Sequence, residues 1–140
     1  MKKILVFGTF DILHDGHMFL FEFARKQGDR LVASIAHDEV VFRLKKHVPK
    51  NTMHSRAALL EENGLVDEAH VGDSELGIWS ILHTYHPDLI VVGYDQDALY
   101  EALDTYKNTT RLGFSIIRAP AYKGERLHSS LLQENNDTVQ

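Results

Sequence analysis

The chain has 140 residues, 44% of them apolar, enough core for one domain and too little length for two. It contains no cysteine, which excludes a disulfide framework, a thiol nucleophile and a thiolate metal site, and which suits a reducing compartment. Fifteen Lys and Arg against twenty Asp and Glu leave a net charge of -5, so the summed field repels nucleic acid and anionic membranes and any anionic ligand must be held locally.

Along the chain, Ile-Leu-Val-Phe at 4–7 runs without a polar interruption and predicts a strand buried on both faces, ended by Gly8. A polar turn leads into a helix over 18–26 with Gly28 as its stop, and a β-rich apolar run follows at 31–36. Residues 43–50 have no strong periodicity and read as a mobile loop. A helix is expected over 55–62, capped by Thr52 or Asn51 and ended by Gly64, then a short strand over 68–71 and a helix over 76–85 that halts before Pro87. Leu-Ile-Val-Val at 89–92 is a second continuous apolar strand ending at Gly93. Asp97 or its neighbour opens a helix through Tyr106, 114–117 forms the last strand, Ser129 caps a short helix, and the polar tail at 134–140 frays. This alternation predicts a single α/β domain over 1–133, with a mostly parallel five-stranded sheet and helices on both faces. Ligands in such sheets bind beyond the carboxyl ends of the strands, where the segments 8–17, 93–96 and 122–130 converge. Too few apolar residues separate Lys3 from Gly8 for a signal-peptide core, and no run approaches the roughly 18 apolar residues of a membrane span, so a cytoplasmic location is expected.

The segment Gly8-Thr9-Phe10-Asp11-Ile12-Leu13-His14-Asp15-Gly16-His17 lies directly between the first strand and the first helix. Gly8 permits a sharp turn and a close ligand, and the helix N-terminus offers free N–H groups and the positive end of a dipole to an anion. With Gly16 and His17 opening the helix, His14 and His17 lean toward one spot as donors to phosphate oxygens. Such donors stabilise charge developing on a phosphoryl group.

This segment resembles, at every defined position, the GTFDxxHxGH signature of the HxGH nucleotidyltransferases, small Rossmann-like enzymes that include glycerol-3-phosphate cytidylyltransferase and the archaeal-type FAD synthases. The resemblance extends over most of the chain, through 28–32, Asp38-Glu39, the lysine-rich segment, Arg56, 66–68 and Gly93. It implies that Thr9, Phe10, His14, Asp15, Gly16 and His17 bind a nucleotide, with the two histidines on its phosphates. Asp11 either braces the loop or serves the acceptor or magnesium. Near the C-terminus, the segment from Lys123 to Ser130 stands where the cytidylyltransferases carry RTEGISTT and departs from it, with Lys123 in place of arginine and His128 in place of a hydroxyl residue. Gly93-Tyr94-Asp95-Gln96, Tyr122 and His128-Ser129-Ser130 are more like the FAD synthases, which implies nucleotide contacts from Gly93, Asp95, Tyr122, Ser129 and Ser130.

Arg43, Lys45, Lys46 and Lys50 with His47 form a basic island that reads as a phosphate-gripping loop. The resemblance favours Lys46 as the residue closing over a triphosphate, with Arg56 as a second charge or a loop support. The implied reaction moves a nucleoside monophosphate from ATP or CTP to a small phosphorylated acceptor with release of pyrophosphate. FMN adenylylation leads over cytidylyl transfer to glycerol 3-phosphate or a related polyol or sugar phosphate. Magnesium is expected through the nucleotide phosphates rather than through protein ligands, and homodimers, without nucleic acid or membrane partners, follow from the same resemblance.

Each feature also has a bland reading. His14 and His17 are by themselves surface histidines, Lys45 and Lys46 a solvated loop, Asp95 a helix cap, Tyr122 a packing residue, and Ser129 and Ser130 caps only. His83 and His86 suit a helix C-terminus better than a metal. Phe19, Phe21, Phe23 and Trp79 read as core or a dimer surface. A regulator that binds nucleotide without turnover is the rival from another class, and a dinucleotide-dependent dehydrogenase lacks its GxGxxG.

Overall fold

A computed structural model describes residues 1–122. Among them, strands β1 (Lys3–Gly8), β2 (Arg30–Ile35), β3 (Glu68–Val71), β4 (Leu89–Val92) and β5 (Ser115–Arg118) alternate with helices α1 (Asp15–Arg25), α2 (Asp38–Lys45), α3 (Met53–Glu62), α4 (Ser80–Thr84) and α5 (Asp97–Thr110). Every strand pairing is parallel, in the order β3-β2-β1-β4-β5. The chain therefore builds outward from β1 to β3 and returns to the other side of β1 at β4, which places the reversal of strand order beside Gly8.

The continuous apolar runs are explained by burial on both faces. Ile4, Leu5 and Val6 are all 0% exposed. Ile4 and Val6 pack with Leu20, Phe21 and Ala24 of α1 and Leu60 of α3, while Leu5 packs with Leu82 of α4 and Leu103 of α5. Helices thus cover both faces, as the alternation predicts.

Three elements differ most from their predicted bounds. The segment read as a loop at 43–50 is helical as far as Lys45, because His37 caps α2 and its acidic first turn and basic last turn complement the helix dipole. Buried Val40 and Val41 beside exposed Phe42 and Leu44 give no clean apolar stripe, which hid the helix. The helix expected over 76–85 shrinks to α4, because Trp79 takes a left-handed backbone with φ of 57° and the Asp73 carboxylate accepts from the Ser80 N–H at 2.9 Å. α5 continues to Thr110, where Arg111 turns left-handed at φ of 61°. Thr52 caps α3 by accepting from the Ser55 N–H at 3.2 Å. The expected Ser129 cap and polar tail lie outside the described residues.

Asp67 joins β3 to its neighbours. Its carboxylate accepts from the Leu31 N–H at 2.8 Å and from Arg25 at 3.2 Å. The Leu31 hydrogen bond, helped by Arg25 and Arg30, holds its pKa below the ordinary carboxylate value against the opposing effect of burial. A lowered folded-state pKa contributes stability that is present above the unfolded value and is lost as pH falls through the folded one. Asp67→Asn is therefore expected to cost about 1 kcal/mol at neutral pH. The difference from wild type should shrink as pH falls through the lowered folded-state value, which urea titrations at neutral and at acidic pH would check.

Candidate active site

The loop between β1 and α1 is shaped by two close approaches. Phe10 adopts φ of 52°, and its ring lies over Gly8 so closely that a Cβ there would stand 2.5 Å from it. The ring is buried against His17 and Phe21, at centroid distances of 5.4 and 5.1 Å. His14 then caps α1, its Nδ1 accepting from the Gly16 N–H at 3.0 Å. A Cβ on Gly16 would sit 2.8 Å from the His14 ring, so glycine is what lets this ring fold back over the first turn. In return the His14 N–H donates to Nδ1 of His17 at 3.2 Å, completing a capping box built from two histidines.

This box sets the tautomer of both rings. Each Nδ1 accepts a backbone N–H, so the proton of each neutral imidazole resides on Nε2. The rings stack at 4.0 Å with 23° between their planes, and His17 is only 1% exposed. The two rings thus sit at the first turn of an eleven-residue helix, where free backbone N–H groups and the helix dipole favour an anion, and the loop and turn they cap are called the cradle below.

Asp11 stands on the loop as a brace. Its carboxylate accepts from the Lys50 N–H at 2.7 Å and the Asn51 N–H at 2.9 Å, and its carbonyl accepts from Asn51 Nδ2 at 3.0 Å. Arg56, 0% exposed, is the second brace. It donates from Nη1 to the Thr9 carbonyl at 2.8 Å, from Nε to the Asn51 carbonyl at 3.0 Å and from Nη2 to Asp38 at 2.5 Å. Of the two roles expected for Arg56, it takes that of loop support. A second charge reaching for a triphosphate does not agree with a guanidinium so buried and so engaged. Lys46, in contrast, is exposed at the C-cap of α2, with a left-handed backbone at φ of 64°.

At the end of β4, Gln96 joins two strands: Oε1 accepts from the Gly93 N–H at 2.6 Å and Nε2 donates to the Phe7 carbonyl at 3.3 Å. Asp95 is not the cap of α5, a position that Gln96 holds. Partial burial raises the pKa of Asp95, the negative Asp97 adds to the rise and His14 opposes it, so the β4 end and the histidine cradle share one electrostatic environment. Tyr122 packs on Phe19 of α1 with centroids 5.6 Å apart. The segments 8–17 and 93–96 thus converge as predicted, Tyr122 reaches the same helix, and Ser129 and Ser130 lie outside the described residues. His83 is engaged by the Tyr106 hydroxyl at 2.7 Å, and Trp79 packs edge-on to Phe7.

A cavity of about 1010 Å³ opens at the carboxyl ends of β1 and β2. It starts at Gly8, Thr9 and His37 and runs between α2 and α4, with Leu44, Trp79 and Leu99 in its mostly apolar wall. His37 has no role in the sequence reading, where Asp38 and Gln96 appear only within stretches that carry the resemblance and Asn51 only as a possible cap of α3.

The parallel sheet, with a histidine-capped helix at its switch point, agrees with a nucleotidyltransferase, and the comparisons with known proteins show that class. The chain belongs to the cytidylyltransferase-like family, whose model matches residues 5–135. It is 37% identical over 127 residues to the FAD synthase of Thermococcus sibiricus, covering 89% of this chain and 86% of that one. It is 36% identical over 133 residues to the FAD synthase of Methanothermobacter thermautotrophicus, covering 93% and 87%. Among solved structures, a lipopolysaccharide core biosynthesis protein from Thermoplasma volcanium superposes with a TM-score of 0.78 at 32% identity, over 88% of this chain and 99% of that one. No helix among the described residues is long and apolar enough to cross a membrane.

Proposed function

We propose that this protein transfers the adenylyl group of ATP to FMN, releasing pyrophosphate. One observation carries the reading: a largely apolar cavity of about 1010 Å³ opens at the end of β1, walled in part by Gly8 and Thr9 of the loop that leads to the two histidines. A fused flavin ring needs such a space, and a polyol phosphate does not. The similarity to the two FAD synthases supports the same choice.

In this reading the triphosphate lies on the N-terminus of α1, held by the backbone of Thr9, Phe10, Asp15 and Gly16 and by the Nε2–H groups of His14 and His17. Phe10 acts through its backbone, since its ring is buried. Gly93, Asp95 and Tyr122 line the nucleoside side, with Ser129 and Ser130 joining them from beyond the described residues. An oxygen of the FMN phosphate attacks the α-phosphorus as the bond to the β-phosphate oxygen breaks, and the electron pair leaves with pyrophosphate. The histidines hold the oxygens of the α-phosphoryl group while charge shifts, and no protein nucleophile is required. The cradle offers N–H donors, and the Asp11 carboxylate is engaged by Lys50 and Asn51, so magnesium fits as a nucleotide-borne ion, neutralising charge on the pyrophosphate when bound. Association into a homodimer and a cytoplasmic location belong to the same reading, and sedimentation would check the first.

The test is pyrophosphate release with magnesium, taking ATP and CTP separately against FMN, glycerol 3-phosphate and sugar phosphates. ATP with FMN is the expected productive pair. Turnover only with CTP and glycerol 3-phosphate would replace it, and nucleotide binding without turnover on any acceptor would favour a regulator. Lys46→Ala is expected to raise the KM for ATP or lower kcat by about tenfold, consistent with loss of one charged contact. Unchanged steady-state kinetics would reduce Lys46 to a solvated residue.

A further inference from the structure

We propose that His37 binds the phosphate of the acceptor, on the far side of the reacting phosphorus from the His14–His17 cradle. The inference rests on the nucleotidyl-transfer reading and adds to it a residue that neither the sequence signature nor the cradle includes.

His37 follows β2 and caps α2, its Nδ1 accepting from the Glu39 N–H at 3.1 Å. As with His14, this bond places the proton of the neutral ring on Nε2 and leaves that edge as a donor. His37 lines the cavity together with Gly8 and Thr9. The preceding residue is tied to the cradle strand, since the Ala36 N–H donates to the Gly8 carbonyl at 3.0 Å. His37 is therefore about one strand spacing from the end of β1, on the β2 side, whereas α1 carries His14 and His17 onward from the same β1 end.

In-line displacement puts the attacking and leaving oxygens on opposite sides of the α-phosphorus. With the triphosphate on α1, the acceptor's phosphate must arrive from the cavity, and its ring must extend into the apolar part beyond. His37 shares the wall with Gly8, Thr9, Ser34 and Lys45, and the carboxylates of that wall, Glu68, Asp73 and Glu75, come from β3 and the segment after it. The neighbouring Asp38 does not repel the ligand as a lone carboxylate would, because Arg56 neutralises it at 2.5 Å.

The experiment compares wild type with His37→Asn, a substitution that retains a capping oxygen for the Glu39 N–H and removes the Nε2–H donor. FMN and riboflavin are titrated separately by flavin fluorescence in the presence of a non-hydrolysable ATP analogue. FAD formation from ATP and FMN is followed in parallel. Wild type is expected to prefer FMN over riboflavin, and His37→Asn to reduce that preference by about tenfold or more. Riboflavin affinity, ATP affinity and Tm should stay near wild type. His37→Ser, another good cap, should behave in the same way. An FMN preference unchanged in both variants, or FMN and riboflavin affinities falling together, would overturn the assignment while wild-type FAD formation left the functional reading intact. Loss of the preference in a protein that makes no FAD would uphold His37 as a phosphate ligand and overturn FMN adenylylation.

Discussion

His17→Ala should lower kcat by about a hundredfold to a thousandfold, the usual cost of removing one preorganised donor from a developing oxyanion. The geometry makes this sharper than a generic histidine substitution. His17 is 1% exposed, its Nδ1 is held by the His14 N–H at 3.2 Å, and its ring stacks on His14 at 4.0 Å. Its donor edge is thus oriented before any ligand arrives, and that preorganisation is what a transition state uses. Removing the ring also opens half of the capping box and a small void beside Phe10, at a cost of about 1 to 2 kcal/mol in stability. His17→Asn keeps a side-chain acceptor for the His14 N–H, so it should recover part of the stability and little of the turnover. Pyrophosphate release measured beside urea unfolding separates the two effects. A turnover within a few-fold of wild type for His17→Ala would sink the proposed role.

Arg56→Leu should destabilise the fold by about 3 kcal/mol, because it removes one partner of a buried ion pair and three hydrogen bonds together. The Thr9 and Asn51 carbonyls lose the Arg56 donor, and the Asp38 carboxylate loses its ion-pair partner while keeping the Met53 N–H. These three groups belong to the cradle loop, the segment before α3 and the start of α2, so the variant that still folds should hold the Thr9 loop less firmly and show reduced kcat. Arg56→Lys should fall between, since one ammonium cannot span three acceptors that a planar guanidinium reaches in fixed directions. Chemical denaturation at neutral pH is the measurement, and a loss below about 0.5 kcal/mol would show that the brace is redundant.

The uninterrupted runs at 4–7 and 89–92 identified the two central strands because a strand buried on both faces carries that burial in its own composition. The cradle was equally legible: its glycines, histidines and helix start lie within ten consecutive residues, 8–17, so their contacts are short-range and each residue type has a local reason. α2 was less so, since only two of its eight residues are buried and its apolar residues do not form one stripe.

The assignment of Arg56 could not be made along the chain. Its partners are Thr9, 47 residues away, and Asp38, 18 away, and a basic residue on a helix gives no sign of whether it faces solvent, ligand or core. The same holds for Gln96 across 89 residues to Phe7 and for the donor edge of His37, whose cavity exists only once β1, β2, α2 and α4 are assembled. Alternating elements and the phosphate cradle arise from interactions between near neighbours, and sequence order records those directly. Which polar groups brace the cradle and which face the cavity depends on hydrogen bonds and burial between distant segments, which arise only when the sheet closes.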